Sequence, residues 1–174
     1  MKILITGNSN FSRGLSLLAN VTTCRISDIT NHDIVLDEYD VFINYGRQGF
    51  GQVSALQAVA DEWWFDSNKI IINISSRAAQ PNISKGYMYA AQKAALNHYT
   101  NNLQYNSDIQ CRLTTLNLGL MEHDTLPSVP WSQVIEIILE IIDKPYAVPE
   151  LTIQHPANYL QVQADKLLHE LLGL

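Results

Sequence analysis

Residues 69–75, KIIINIS, are apolar almost without a break. A strand with one face in water alternates apolar and polar side chains. A strand buried on both faces reads as a continuous apolar run, and such strands belong to parallel sheets covered by helices. Working outward, KILIT (2–6) is a similar compact strand, followed by a polar turn GNSNFSR (7–13) and a short helix GLSLLA (14–19). VTTCR (21–25) and DVFIN (40–44) are further strand candidates, separated by a polar, acidic connection that contains DITNHDIVLDEY. A helix follows over residues 51–65, with Val53, Leu56, Val59, Ala60 and Trp63 on one face. YAAQKAALNHYTNNL predicts a long helix after KIIINIS, then CRLTTLNL (111–118) a strand and WSQVIEIILEII a helix. ELTI is a last short strand and ADKLLHELLGL a terminal helix.

Strand and helix in repetition mean βαβ units, hence an α/β fold with a mainly parallel sheet of about six strands and helices on both faces. The expectation is one domain over residues 1–174, with no repeat or linker and a single proline-punctuated loop, PSVP, at 127–130. Fold class does not fix function. It does place ligands at the carboxyl ends of the strands, near the point where strand order reverses.

Bulk composition narrows the function classes. A net charge of -6 with scattered basic residues argues against nucleic acid, because phosphate binding needs clustered Lys and Arg. No apolar run approaches the length of a membrane span, and MKILITG runs straight into a strand pattern, so no signal peptide and no membrane partner are expected. Cys24 and Cys111 lack metal-ligand spacing and read as reduced core residues of a cytoplasmic protein. No His pairs with Cys or carboxylates at metal spacing, so no metal is expected. Phosphate-loop and nucleophile-elbow motifs are missing, which leaves NTPase and hydrolase readings without support.

Tyr89 and Lys93 stand four residues apart on the long helix and therefore share a face. An adjacent cation favours phenolate, and a tyrosine so tuned gives or takes a proton near neutral pH. With eight Tyr and six Lys in the chain, roughly 0.3 such pairs arise by chance. Requiring a Ser thirteen residues earlier lowers the figure to roughly 0.02. That serine, Ser76, follows directly on the buried strand, where ligand-binding residues belong.

The segments IINISS, YAAQKAAL and LNLGLMEHDT, in this order, resemble the short-chain dehydrogenase/reductase family. ILITGNSNFSRGL resembles its cofactor turn, and DVFINYG its strand ending in Asn-Ala-Gly, so the likeness extends over nearly the whole of an unusually short chain. The resemblance implies a reduced Rossmann-like fold and an oxidoreductase using NADP, the preferred choice, or NAD on a small carbonyl or alcohol substrate. Ser76 would hydrogen-bond the substrate oxygen, Tyr89 would pass the proton, and Lys93 would hold the nicotinamide ribose. Thr6, Gly7, Asn10, Ser12 and Arg13 would form the pyrophosphate turn. Arg25 would face a 2′-phosphate, with Asp28 and Ile29 against the adenine. Asn44 and Gly46 would stand beside the cofactor, and Gly119 and Met121 at its nicotinamide end. Two long helices, 51–65 and 86–104, match those through which members of the family form homodimers or homotetramers.

The departures are equally specific. After Thr6 and Gly7 the next glycine is Gly14, so the expected glycines fall on Asn10 or Phe11 and on Ser12 or Arg13. A register with Asn10 and Ser12 facing the cofactor keeps the backbone accessible, because Asn adopts positive φ and Ser is small. A register with Phe11 and Arg13 crowds it, although Arg13 can pair with a phosphate. Arg25 is either a 2′-phosphate contact or a solvated surface arginine. The family's third strand and its helix are expected to be missing, and Tyr45 replaces a small alanine and narrows the site. The upstream asparagine of some members' proton relay falls near Gln48, and His123 stands where a carboxamide-binding Thr is usual. An alternative reading is a relic of the family that binds a nucleotide or a protein without catalysis.

Overall fold

The computed structural model describes residues 1–81, 86–106, 108–157 and 159–173, with backbone only for 159–163. Six parallel strands form one sheet: β1 (Lys2–Thr6), β2 (Asn20–Cys24), β3 (Val41–Asn44), β4 (Ile70–Ser76), β5 (Arg112–Leu118) and β6 (Glu150–Ile153). Their spatial order is β2-β1-β3-β4-β5-β6. The run at 69–75 forms β4 between β3 and β5, shifted by one residue to Ile70–Ser76, and Ile70 to Ser75 are buried.

Side chains alternate across this sheet, so each strand feeds two cores. Ile3, Ile5, Ile43, Ile72 and Ile74 pack on one face with α1 (Asn10–Ser16) and α5 (Trp131–Asp143). Leu4, Phe42 and Ile71 pack on the other with α2 (Ile26–Thr30), α3 (Gly51–Trp63) and α4 (Tyr87–Gln104). The result is a doubly wound α/β fold. The last helix, α6, spans Tyr159–Leu172. Among the described residues, no helix is long and apolar enough to cross a membrane.

Several expectations need correction. The helix after β1 begins at Asn10 and not at Gly14, because Ser9 and Ser12 cap it reciprocally. Ser9 Oγ accepts from the Ser12 N–H at 3.4 Å, and Ser12 Oγ accepts from the Ser9 N–H at 2.8 Å. The polar turn therefore holds the first helical turn, and Phe11 and Leu15 dive into the core. The acidic connection contains the short α2 and a 3-10 turn at Leu36–Glu38. Trp64 and Phe65 lie beyond the end of α3, and the buried face of that helix includes Gln52, with Val53 only half-buried. Cys24 is half-buried on the edge strand β2, whereas Cys111 is buried; both thiols are free. As expected, no further strand follows β2: the chain runs through α2 to β3, which lies on the other side of β1.

That reversal defines the functional end of the sheet. β1 has β2 on one side and β3 on the other, so the chain leaves β1 and β3 in opposite directions. A crevice opens between the loops that follow them. Thr6, at the end of β1, is fully buried beneath the crevice and does not line it; its hydroxyl oxygen accepts from the N–H groups of Tyr45 (2.9 Å) and Gly46 (2.8 Å) and so ties the two loops together.

Candidate active site

The crevice at the switch point is an open groove of about 360 Å3, walled by Gly7, Asn8, Arg25, Asp28, Gly46 and Arg47 among others. Its size lies within the range of small-molecule sites. Gly7 turns the chain out of β1 at φ +92°, a conformation that side chains with a Cβ rarely adopt. Its N–H donates to the Cys24 carbonyl at 2.8 Å, which anchors the turn to β2.

Arg25 and Asp28 form one unit on the groove's rim. The Asp28 carboxylate accepts from the Arg25 backbone N–H (2.8 Å) and from its guanidinium Nε and Nη2, both at 3.0 Å. The backbone hydrogen bond first, and the guanidinium second, hold the Asp28 carboxyl below the usual carboxylate range. Arg47 stands on the opposite wall, solvent-exposed and without an ion pair among the described residues.

A second, smaller pocket of about 50 Å3 adjoins the groove and contains Ser76, Tyr89 and Lys93, together with Arg47. Ser76 ends β4 and caps the 3-10 turn Arg77–Ala79; its Oγ accepts from the Ala78 N–H at 3.1 Å. Tyr89 and Lys93 project from one face of α4. The Lys93 ammonium lies 5.7 Å from the Tyr89 ring centroid, and the Arg47 guanidinium carbon 5.9 Å from it. Two cations thus flank one phenol ring.

Lys93 is only 4% exposed. Its ammonium donates to Gln52 Oε1 at 2.6 Å and to the Ile74 carbonyl at 2.8 Å, so two of its three donors are committed. Burial, and then the positive charge of Arg47, pull its pKa down to about 7. Gln52 is itself locked from behind, its amide donating to the carbonyls of Asn44 (2.6 Å) and Ile74 (3.1 Å). The first turn of α3 therefore sets the height of the lysine. Gln52 escaped the sequence reading, although a polar residue four positions before Leu56 on an apolar helix face was its signal.

The other wall of the small pocket is aromatic. Tyr45 and Trp131 meet edge to face, with centroids 5.8 Å apart, and both rest on buried Phe11. Gly119 and Met121 complete this side. A Cβ at Gly119 would lie 2.9 Å from the Gln154 Cβ and 3.2 Å from its Cα, so that position requires glycine to let β5 and β6 end side by side.

The structure thus gathers Ser76, Tyr89, Lys93, Gly119 and Met121 in one pocket, and Gly7, Arg25, Asp28 and Gly46 in the adjoining groove. It takes other expected residues elsewhere. Ser12 is fully buried in the helix cap, and Ile29 packs in the core under α3, so neither side chain reaches the groove. Asn10 and Arg13 bond to each other at 2.6 Å outside its wall. Asn44 is buried and donates to Gln52 O and Asn73 Oδ1, bracing the sheet floor. Gln48 lines the groove and not the small pocket. His123 organises its own loop: Nδ1 accepts from the N–H groups of Thr125 and Leu126.

Comparison with known proteins fits this geometry. The sequence profile of the family described as short chain dehydrogenase matches residues 14–129. No curated protein matches the chain. Among solved structures, serine dehydrogenase from Escherichia coli superposes with a TM-score of 0.71 at 17% identity, over 91% of this chain and 99% of that one. An alcohol dehydrogenase from the archaeon Thermococcus sibiricus, complexed with 5-hydroxy-NADP, gives 0.73 at 13% identity, over 91% and 98%. A 4-hydroxyisoleucine dehydrogenase complexed with NADH gives 0.66 at 14%, over 89% and 98%. At these identities the likeness is one of fold.

Proposed function

The chain belongs to the short-chain dehydrogenase family, and we propose that it is an NAD(P)-dependent oxidoreductase interconverting a small carbonyl substrate and its alcohol. The observation that carries this reading is the convergence of Ser76, Tyr89 and Lys93 on one pocket, beside a groove at the switch point of the sheet. In this reading Ser76 Oγ orients the substrate oxygen, the Tyr89 hydroxyl passes the proton, and Lys93 supplies the adjacent positive charge. The cofactor, when bound, would supply the hydride for carbonyl reduction and accept it in alcohol oxidation. Gly7, Gly46 and the Arg25–Asp28 unit would hold its adenosine half, with Gly119 and Met121 at the nicotinamide end.

NADP is the preferred dinucleotide in this account, because Arg25 presents a guanidinium on the groove rim. Arg25→Ala is expected to weaken NADPH binding about ten-fold and leave NADH binding unchanged, as read by fluorescence titration. Equal losses for both nucleotides would assign Arg25 a merely structural role. We further assign the α3 and α4 side of the fold to a homodimer or homotetramer contact, since Phe65 (73%) and Tyr105 (91%) stand exposed just beyond these helices. Sedimentation velocity is expected to give a multiple of the 19.6 kDa chain mass. A monomer at assay concentration contradicts it.

A second reading, a family member that binds a nucleotide without turnover, draws on the narrow aromatic-walled pocket. A panel of aldehydes and ketones with NADPH separates the two. Nucleotide oxidation with any of them supports the enzyme, whereas binding with no turnover across the panel supports the second reading.

A further inference from the structure

We infer that Arg47 is the residue that binds the cofactor diphosphate, in place of the glycine-rich turn this chain lacks. The inference rests on the proposed nucleotide site and assigns its missing phosphate contact. A dinucleotide lying across the crevice places its diphosphate between the adenosine half and the reactive half. Arg47 lines both the groove and the Ser76–Tyr89–Lys93 pocket, which puts its guanidinium at that junction.

The turn after β1 offers little competition. Phe11 fills the core with its ring, Ser12 is buried, and the Ser9 and Ser12 hydroxyls already satisfy donors of the first helical turn. Arg13 bonds Asn10 and Asn8 instead of facing the groove. Arg25, paired with Asp28, stands on the β2 side of the groove, where this account places the adenosine half and its 2′-phosphate, and so leaves the diphosphate to another group. Arg47 is the guanidinium on the groove wall that has no carboxylate partner among the described residues, and a guanidinium fork matches a phosphate in geometry as well as charge.

Occupation of Arg47 would also reach the lysine. Of the described charged and titratable groups around Lys93, Tyr89 comes from its own helix and Arg47 from the loop after β3. α3 and β4 contribute the uncharged Gln52 amide and the Ile74 carbonyl. The Arg47 charge disfavours the Lys93 ammonium, and a diphosphate paired with Arg47 offsets it. Cofactor binding would therefore raise the lysine's pKa from its value in the free protein, while the larger effect of burial stays in place.

The test uses the full-length protein, ADP-ribose as the diphosphate probe and adenosine as its phosphate-free control. Arg47→Gln is expected to weaken ADP-ribose binding about ten- to hundred-fold, in line with loss of a charge-assisted hydrogen bond, with adenosine unaffected. Arg47→Lys is expected to recover only part of the loss. In 13C-lysine-labelled protein, the Lys93 titration midpoint is expected to rise when ADP-ribose binds the wild type, and to stay fixed in Arg47→Gln. Unchanged ADP-ribose affinity in Arg47→Gln overturns this inference and leaves the oxidoreductase reading standing. Failure of the wild type to bind ADP-ribose or NADPH overturns both. Arg47 is exposed, so its variants are expected to fold normally.

Discussion

Tyr89→Phe is expected to lower kcat for carbonyl reduction by about 100- to 10,000-fold, the usual contribution of a positioned proton donor. The substitution removes one oxygen and keeps the ring, so the contacts with Arg47 and Lys93 on either side survive. Tyr89 is half-buried, so its hydroxyl reaches solvent, and its removal leaves no fully buried polar atom behind at that position. Stability and nucleotide binding should therefore remain near wild type while turnover collapses. Parallel kcat measurements and NADPH titrations check this separation. A variant that turns over at the wild-type rate would remove Tyr89 from the chemistry, and loss of binding in step with turnover would make it a structural residue.

The second large effect belongs to a residue that touches neither substrate nor cofactor in this account. Gln52→Leu is expected to destabilise the fold by about 3 kcal/mol, because a buried ammonium loses a charge-assisted hydrogen bond and two carbonyls lose an amide donor. For a chain of this size that corresponds to a fall in Tm of roughly 6–12 °C. Turnover should fall as well, since Lys93 is then held by the Ile74 carbonyl alone among these contacts.

The pH dependence of wild-type stability carries the same signature, with a definite sign. The folded-state pKa of Lys93 is about 7 against an ordinary 10.5. Below about 7 both folded and unfolded chains carry the proton, and the cost of burying the ammonium is fully present. Between 7 and 10.5 the unfolded chain keeps a proton that the folded chain has released, so this residue's contribution makes stability climb as pH rises. Urea melts at neutral and mildly alkaline pH read this climb, and Lys93→Met should flatten it. A wild-type protein with no such climb would contradict the burial of an ammonium beside Arg47.

Much of this architecture was legible because hydrophobic burial leaves a strong local record. The nearly unbroken apolar run at 69–75 states that both faces of β4 are covered, although the strand itself is Ile70–Ser76, and ELTI forms β6 with the bounds its pattern predicts. The short helices were not legible. α1 starts in Asn10–Arg13, where three of four residues favour turns or solvent, and its cap pairs two serines without the glutamate that usually marks a capping box. α2 is five residues long, too short for a period to show, and Asp28 fixes its start by bonding the Arg25 N–H. In such short helices tertiary packing sets the phase. That is why Ile29 and Ser12, placed by resemblance toward a cofactor, face the core.

The Ser76, Tyr89 and Lys93 spacing was readable because two of the three lie four residues apart on one helix and the third ends a buried strand. Arg47 was not, since only the reversal of strand order between β1 and β3 brings its loop to the border of both cavities. Gln52 was visible only as a polar residue on an apolar helix face, and its role as the lysine's partner required knowing that Lys93 is buried.

The central claim is that this crevice takes a nicotinamide dinucleotide, and calorimetric titration of the purified protein with NADPH and with NADH tests it most directly. The account predicts micromolar binding, tighter for NADPH than for NADH. No binding of either nucleotide at millimolar concentration would contradict it, however well Ser76, Tyr89 and Lys93 are placed.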